Sequence, residues 1–236
     1  MRWPRFTRRR RRAPSADTGN PEDLARDRAR MVAEQIESRG IGDADLLHAL
    51  STVPRHLFVE GDEPYGDHAM PLGSGQTISQ PYVVARMTEL ARPPEGWTDA
   101  ATLEIGTGSG YQAAILAELG ATVTTIERHE VLAREAVRRL REAGYEGVDV
   151  EIGDGTNGWP KSAPYRSILV TAGGPSVPQP LLEQLDRDGG RLVMPVGNRE
   201  HQWLTLVERN GDEVTSSELE PVVFVPLIGR YGLGED

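Results

Sequence analysis

Apolar positions change rhythm along this chain. Between residues 20 and 52 they fall at helical spacing. Leu24, Met31, Val32 and Ile36 share roughly one face, which predicts a helix opening at Asn20-Pro21 and running to about Arg39, with Gly40 as its stop. A second helix is predicted over Asp43 to Thr52. Val53-Pro54-Arg55 then breaks the pattern, and no period is sustained as far as Gln80. A long irregular segment is expected there, and such loops tend to be functional. Pro81 opens a further helix, Tyr82 to about Leu90, with Ser79 or Gln80 near its cap.

From Ala100 apolar runs alternate with helical stretches. Strands are predicted at Ala100–Ile105, Thr122–Ile126, Val148–Ile152, Arg166–Thr171 and Arg191–Pro195. Helices are predicted at Tyr111–Leu119, Glu130–Ala143 and near Pro180–Leu185. This alternation predicts an α/β fold with a doubly wound, mostly parallel sheet covered by helices. At the end, Gln202–Glu208 and about Val214–Val225 flank Asn210-Gly211, a hairpin signal that predicts an antiparallel edge. The expected division is an arm over residues 1–20 and a domain over 21–236. Within that domain, 21–99 holds N-terminal helices and a loop, and 100–236 holds the sheet.

Composition narrows the chemistry. The chain has 236 residues, enough for one large α/β domain. It has no cysteine, so thiolate metal sites and a cysteine nucleophile are excluded. Cytoplasmic residence is expected, and no apolar run approaches a membrane span. Seven arginines and no acid lie in residues 1–12, leaving 19 basic residues against 36 acidic ones in the remainder. A body that acidic repels polyanions, so a nucleic-acid substrate is not expected. The arm itself reads as a disordered, solvated tail.

The candidate site starts at Glu104-Ile105-Gly106-Thr107-Gly108-Ser109-Gly110, where a predicted strand turns into a predicted helix. Glycines there permit a sharp turn and close approach to a ligand. A dinucleotide fingerprint would place its third glycine at Tyr111, and the chain has none there. Glu104 precedes the glycines and puts a carboxylate at the strand tip. That suits a ligand with a cationic amino group, such as S-adenosylmethionine. Two more acids fall at strand ends: Glu127, placed to accept ribose hydroxyls, and Asp154 in Gly153-Asp154-Gly155, placed to accept from an adenine amino group. After the fourth strand stands Thr171-Ala172-Gly173-Gly174-Pro175, not the Asn/Asp-Pro-Pro-aromatic turn of enzymes that methylate amino groups of bases. The five histidines show no metal spacing, and no metal site is expected. No residue stands out as a general base. An acceptor carboxylate needs none, because it is already ionised at neutral pH.

Several strings resemble the protein-L-isoaspartate O-methyltransferase family, the bacterial form especially. They are Val53-Pro54-Arg55, Phe58-Val59, Pro71-Leu72-Gly73, Gly75 to Tyr82, Leu103 to Gln112, Gly153-Asp154-Gly155, Leu192 to Gly197 and Phe224 to Leu227. The resemblance covers roughly Met31 to Ile228, and Gln76-Thr77-Ile78-Ser79-Gln80-Pro81 is its most specific part. It implies a Rossmann-like fold and an enzyme that transfers methyl from S-adenosylmethionine to the α-carboxyl of L-isoaspartyl residues, leaving S-adenosylhomocysteine; separately, a monomer is expected. The ester then collapses to a succinimide, which opens partly to normal aspartate. The cofactor set so implied is Gln76, Thr77, Ile78, Glu104, Gly106, Thr107, Gly108, Glu127, Arg128, Asp154, Gly155 and Thr171. Ser79 is the expected catalytic residue, facing the acceptor carboxylate. Gln80, Tyr82, Val225 and Pro226 complete the expected acceptor side. Three alternatives stand beside this reading. A peptide-tailoring enzyme would esterify a normal aspartate to form an aspartimide. An NAD-dependent oxidoreductase is disfavoured by Tyr111, and a non-catalytic binding module by the intact Gln76–Pro81 string.

Overall fold

The computed structural model describes residues 20–234. The expected arm lies outside the described residues, apart from Asn20. The first helix, α1, spans Pro21–Arg30, with the Asn20 carboxamide accepting from Glu22 N at its start. It does not continue as an α-helix to Arg39. Met31–Ile36 widens into a π-helical turn and Glu37–Arg39 tightens into a 3₁₀ turn that ends on Gly40 at φ +94°. The wider turn brings Met31 and Ile36, five residues apart, onto the same buried side. Helix α2, Ala44–Thr52, is capped by Asp43, whose carboxylate accepts from Leu46 N.

The segment expected to be irregular contains a small hairpin. Strand β1, Met70–Gly73, pairs antiparallel with β2, Gln76–Ile78. Ser74 and Gly75, both at positive φ, form its turn. The hairpin was hidden in the sequence because its strands are too short to show alternation. Helix α3, Pro81–Ala91, follows, with Gln80 at its N-cap and no side chain capping it. Ser79 is therefore not a cap.

The main sheet has seven strands in the order β5-β4-β3-β6-β7-β8-β9. These are β3 (Ala101–Ile105), β4 (Thr122–Glu127), β5 (Asp149–Ile152), β6 (Ser167–Val170), β7 (Asp188–Gly197), β8 (Gln202–Asn210) and β9 (Glu213–Val222). Strands β3 to β7 run parallel, and β8 and β9 add the antiparallel edge. The hairpin loop is Gly211-Asp212, one residue later than the Asn210-Gly211 signal, and Gly211 supplies the positive φ. Helices α4 (Tyr111–Glu118), α5 (Glu130–Glu142) and α6 (Gln179–Gln184) form the crossovers.

Alternation along the strands separates two apolar clusters. Leu169 belongs to one, with Val123, Val193 and residues of α2 and α3; Ile168 and Val170 belong to the other, with Leu103, Ile126 and Met194. Glu104 pairs in register with Thr125 and Leu169, so it lies on the side covered by the N-terminal helices. The chain leaves β3 for β4 and β5 on one flank and returns to β6 on the other. The crevice at such a reversal is where open parallel sheets bind ligands.

Candidate active site

The turn after β3 occupies that crevice. Gly106 has φ +96°, and a Cβ there would strike Thr171 Oγ1 at the end of β6. The Thr171 hydroxyl lies 2.8 Å from the carbonyl of Gly106 and 3.0 Å from that of Ile105, closing the two strand ends together. Below the turn, Glu104 is fully buried. Its Oε2 accepts from Thr125 Oγ1 at 2.5 Å, and Thr107 Oγ1 sits 2.7 Å from the same hydroxyl. Since Thr125 donates to Glu104, Thr107 is the donor to Thr125. The other oxygen, Glu104 Oε1, has no partner. Burial raises the Glu104 carboxyl to about 8; the Thr125 hydrogen bond opposes this and the nearby Glu127 charge adds to it. An orphaned, buried carboxylate oxygen calls for a cationic donor. It lines a small cavity with Thr77, Ile78, Ser79, Gly106, Thr107, Gly108, Tyr111 and Thr171.

Glu127 ends β4 beside the turn. Its two oxygens accept from Gly108 N and His129 N, each at 2.9 Å. The carboxylate therefore shapes the glycine turn itself. Glu127 lines a second cavity with Gln76, Thr77, Gly106, Gly108, Arg128, Gly155, Thr171 and the segment Val225–Ile228. Gly155 is required for packing, because a Cβ there would run into Ile105 Cγ2.

A third cavity, of about 510 Å³, is lined by Thr77, Ser79, Gln80, Thr171, Glu200 to Trp203 and Pro221 to Val225. Thr77 and Thr171 line all three cavities, so the three form one continuous cleft. Ser79 lines the Glu104 cavity and the large groove, and so stands at their junction. Its main chain is held from below. The fully buried Arg55 donates through Nη2 to Ser79 O and through Nε to Pro64 O, each at 2.9 Å, with its guanidinium over the Tyr111 ring at 4.8 Å. Burial lowers the Arg55 pKa, and the Tyr111 and Tyr65 rings oppose that.

Among the expected residues, Gln76, Thr77, Ile78, Glu104, Gly106, Thr107, Gly108, Glu127, Arg128, Gly155 and Thr171 all line the two smaller cavities. Three others lie elsewhere. Tyr82 lines none of the three cavities and packs under the Arg39 guanidinium, 3.3 Å from its ring centre. Pro226 faces the Glu127 cavity, and only Val225 reaches the large groove. The Asp154 carboxylate turns away from the cleft. It accepts from Thr156 N, Thr156 Oγ1 and Arg230 N at 2.7–2.9 Å. Partial burial would raise its pKa, but the donors Arg230 N and Thr156 outweigh it and hold the carboxyl below its ordinary value. Sequence reasoning missed the roles of Thr125 and Arg55. Thr125 is legible only from the β3–β4 register, whereas Arg55 stood in a recognised string. Among the described residues no group of histidines and acids is placed to hold a metal.

A parallel sheet with an antiparallel edge, a glycine turn at its switch point, and flanking carboxylates define the class of S-adenosylmethionine-dependent methyltransferases. Comparison narrows the class. The family model described as protein-L-isoaspartate(D-aspartate) O-methyltransferase matches residues 26–232, and the chain belongs to that family. It is 52% identical over 216 residues to the protein-L-isoaspartate O-methyltransferase of Methanoregula boonei, covering 90% of this chain and 97% of that protein. The Methanospirillum hungatei relative of the same name is 52% identical over 214 residues, covering 89% and 97%. A solved protein-L-isoaspartate O-methyltransferase superposes with TM-score 0.77 at 25% identity, covering 87% of this chain and 67% of the other. A Plasmodium falciparum structure, titled a putative enzyme of this kind in complex with S-adenosyl-L-homocysteine, has TM-score 0.72 at 21% identity, covering 85% and 98%, and supports the fold.

Proposed function

We propose that this chain methylates the α-carboxyl of L-isoaspartyl residues in proteins or peptides, acting as a monomer in the cytoplasm and initiating their repair through a succinimide. The junction at Ser79 carries the reading: one side chain borders both the Glu104 cavity and the large groove. The residues fit S-adenosylmethionine. Glu104 Oε1, buried and unpartnered, suits its ammonium group. Gln76, Glu127, Arg128 and Gly155 would border its nucleoside, with Thr77 and Thr171 between the two ends. Bound there, it would supply a methyl group already activated on a sulfonium.

The chain's own residues then have a limited task. The acceptor carboxylate is ionised at neutral pH, so no side chain has to remove a proton. Ser79 would donate a hydrogen bond to one carboxylate oxygen and leave the other free to attack. Gln80, Val225 and the walls of the large groove would hold the acceptor backbone and exclude water. Arg55 holds the Ser79 carbonyl and so the main chain from which its hydroxyl projects. An isoaspartyl residue presents its α-carboxylate as a branch one carbon closer to the chain than the side carboxylate of aspartate. A site shaped for the shorter branch rejects the longer one.

The test compares methyl transfer to an isoaspartyl peptide with transfer to its normal aspartyl twin. The wild-type enzyme should turn over only the first. Ser79→Ala should lower that turnover by roughly tenfold while leaving S-adenosylhomocysteine affinity unchanged. Equal turnover by the variant would remove Ser79 from the mechanism. Preference of the wild type for the aspartyl twin would instead favour peptide tailoring.

A further inference from the structure

We propose that Asp154 is a positioning residue that, through Thr156, clasps the C-terminal segment 223–233 as a strap forming one wall shared by the cofactor cavity and the acceptor groove. The inference rests on the functional reading above for the names of the two cavities, and on the hydrogen bonds alone for the strap.

The strap crosses the end of β6 and then folds back on itself. Gly173 N donates to Val225 O at 2.8 Å, and Leu227 N donates to Gly173 O at 2.7 Å. Leu233 N returns to Leu227 O at 2.7 Å, closing a loop whose tip is Arg230 and Tyr231. That tip is where Asp154 and Thr156 act. Asp154 Oδ2 accepts from Arg230 N at 2.8 Å. Asp154 Oδ1 accepts from Thr156 Oγ1 at 2.7 Å, and the same hydroxyl accepts from Tyr231 N at 3.1 Å. Two successive backbone N–H groups of the strap are thus satisfied by two side chains that follow β5. The fit leaves no slack, because a Cβ on Gly229 would collide with the Asp154 carboxylate.

The position of the strap gives the clasp its consequence. Val225 to Ile228 line the Glu127 cavity, and Val222 to Val225 line the large groove. Val225 belongs to both. Loosening the tip therefore disturbs both sites together, whereas a direct contact between Asp154 and an adenine amino group would affect one ligand only. Thr156 is fully buried and lines neither cavity, so it touches neither ligand directly, and faster cleavage at Arg230 is what distinguishes an effect through the strap from one through its neighbour Gly155.

The experiment uses the full-length chain with Asp154→Asn and Thr156→Val. Limited trypsin digestion, read by mass spectrometry, should release the fragment ending at Arg230 several-fold faster in both variants. S-adenosylhomocysteine affinity should fall by about tenfold. The same loss should be seen with the analogue that carries hydrogen in place of the 6-amino group, and KM for an isoaspartyl peptide should rise with it. Should Thr156→Val fail to fold, Asp154→Asn decides through the same readings. An affinity loss confined to the amino-bearing ligand would overturn the proposal, as would wild-type rates of cleavage at Arg230 in the folded variants. A wild-type enzyme that binds S-adenosylhomocysteine but leaves isoaspartyl peptide unmethylated would remove the acceptor reading, with cleavage and binding still deciding the strap.

Discussion

S-adenosylhomocysteine should bind about fiftyfold more weakly at pH 6 than at pH 8, and replacement of Glu104 by glutamine should abolish most of that dependence. The cause is the buried carboxyl at the end of β3. Its pKa is raised from 4.5 to about 8, chiefly by burial. Below pH 8 the free protein therefore holds Glu104 mostly neutral, which suits a buried carboxyl whose Oε1 has no partner. An ammonium ligand requires the carboxylate. Binding well below that pKa must then release one proton, so affinity falls about fivefold from pH 8 to 7 and about tenfold for each further unit. Stability should move the opposite way. The unfolded chain ionises Glu104 near 4.5 and the folded chain near 8, so folding takes up a proton between those values. The contribution of the neutral form is full below 4.5 and is lost as pH rises towards 8. Glu104→Gln should accordingly melt higher than the wild type at pH 8, and by less at pH 5. Calorimetric titration at pH 6, 7 and 8 checks the first claim. A flat wild-type profile, or an equal slope in the variant, would show that the carboxyl does not meet the ammonium group.

The same residue shows what was legible from sequence. A carboxylate before three alternating glycines already specified its place at a strand tip, and the structure puts it there. What could not be read was Thr125, because a hydroxyl on the neighbouring strand meets Glu104 only once the β3–β4 register is known. The parallel strands were legible in place: β6 is a fully buried apolar run, whereas β4 and β5, with their threonines and acids, were placed by the alternation with helices. The hairpin of β1 and β2 was not, because short strands leave no period to count. Asp154 marks a different limit. Sequence spacing located the residue at the end of β5, but the direction of its side chain depends on a segment 76 residues further on, whose backbone N–H it accepts. Tyr82 fails for a related reason: it sits one residue inside α3, and Arg39 from the distant N-terminal turn covers its ring.

Glu127→Ala should weaken S-adenosylmethionine and S-adenosylhomocysteine binding by roughly ten- to a hundredfold while sparing turnover at saturating cofactor. The proposed contact with ribose hydroxyls accounts for one part of the loss. The structure supplies another, because the carboxylate already accepts from Gly108 N and His129 N, each at 2.9 Å. Gly108 stands at φ +53°, within the turn that must approach the ligand. Without the carboxylate, two N–H donors lose their acceptor, and the turn keeps only its backbone ties to β4, from Gly106 N and Thr107 N to Ile126 O. Glu127→Gln separates the contributions. Its amide retains one acceptor oxygen but turns an NH₂ group towards one of the two donors, so its loss should fall between those of wild type and alanine. Turnover should survive because Glu127 lines the cofactor cavity and not the acceptor groove. KM for S-adenosylmethionine should rise in step with the S-adenosylhomocysteine dissociation constant, and KM for the isoaspartyl peptide at saturating cofactor should not. Unchanged calorimetric affinity in Glu127→Ala would reduce Glu127 to a strand-end acid. A turnover defect persisting at saturating cofactor would instead place its influence at the acceptor carboxylate.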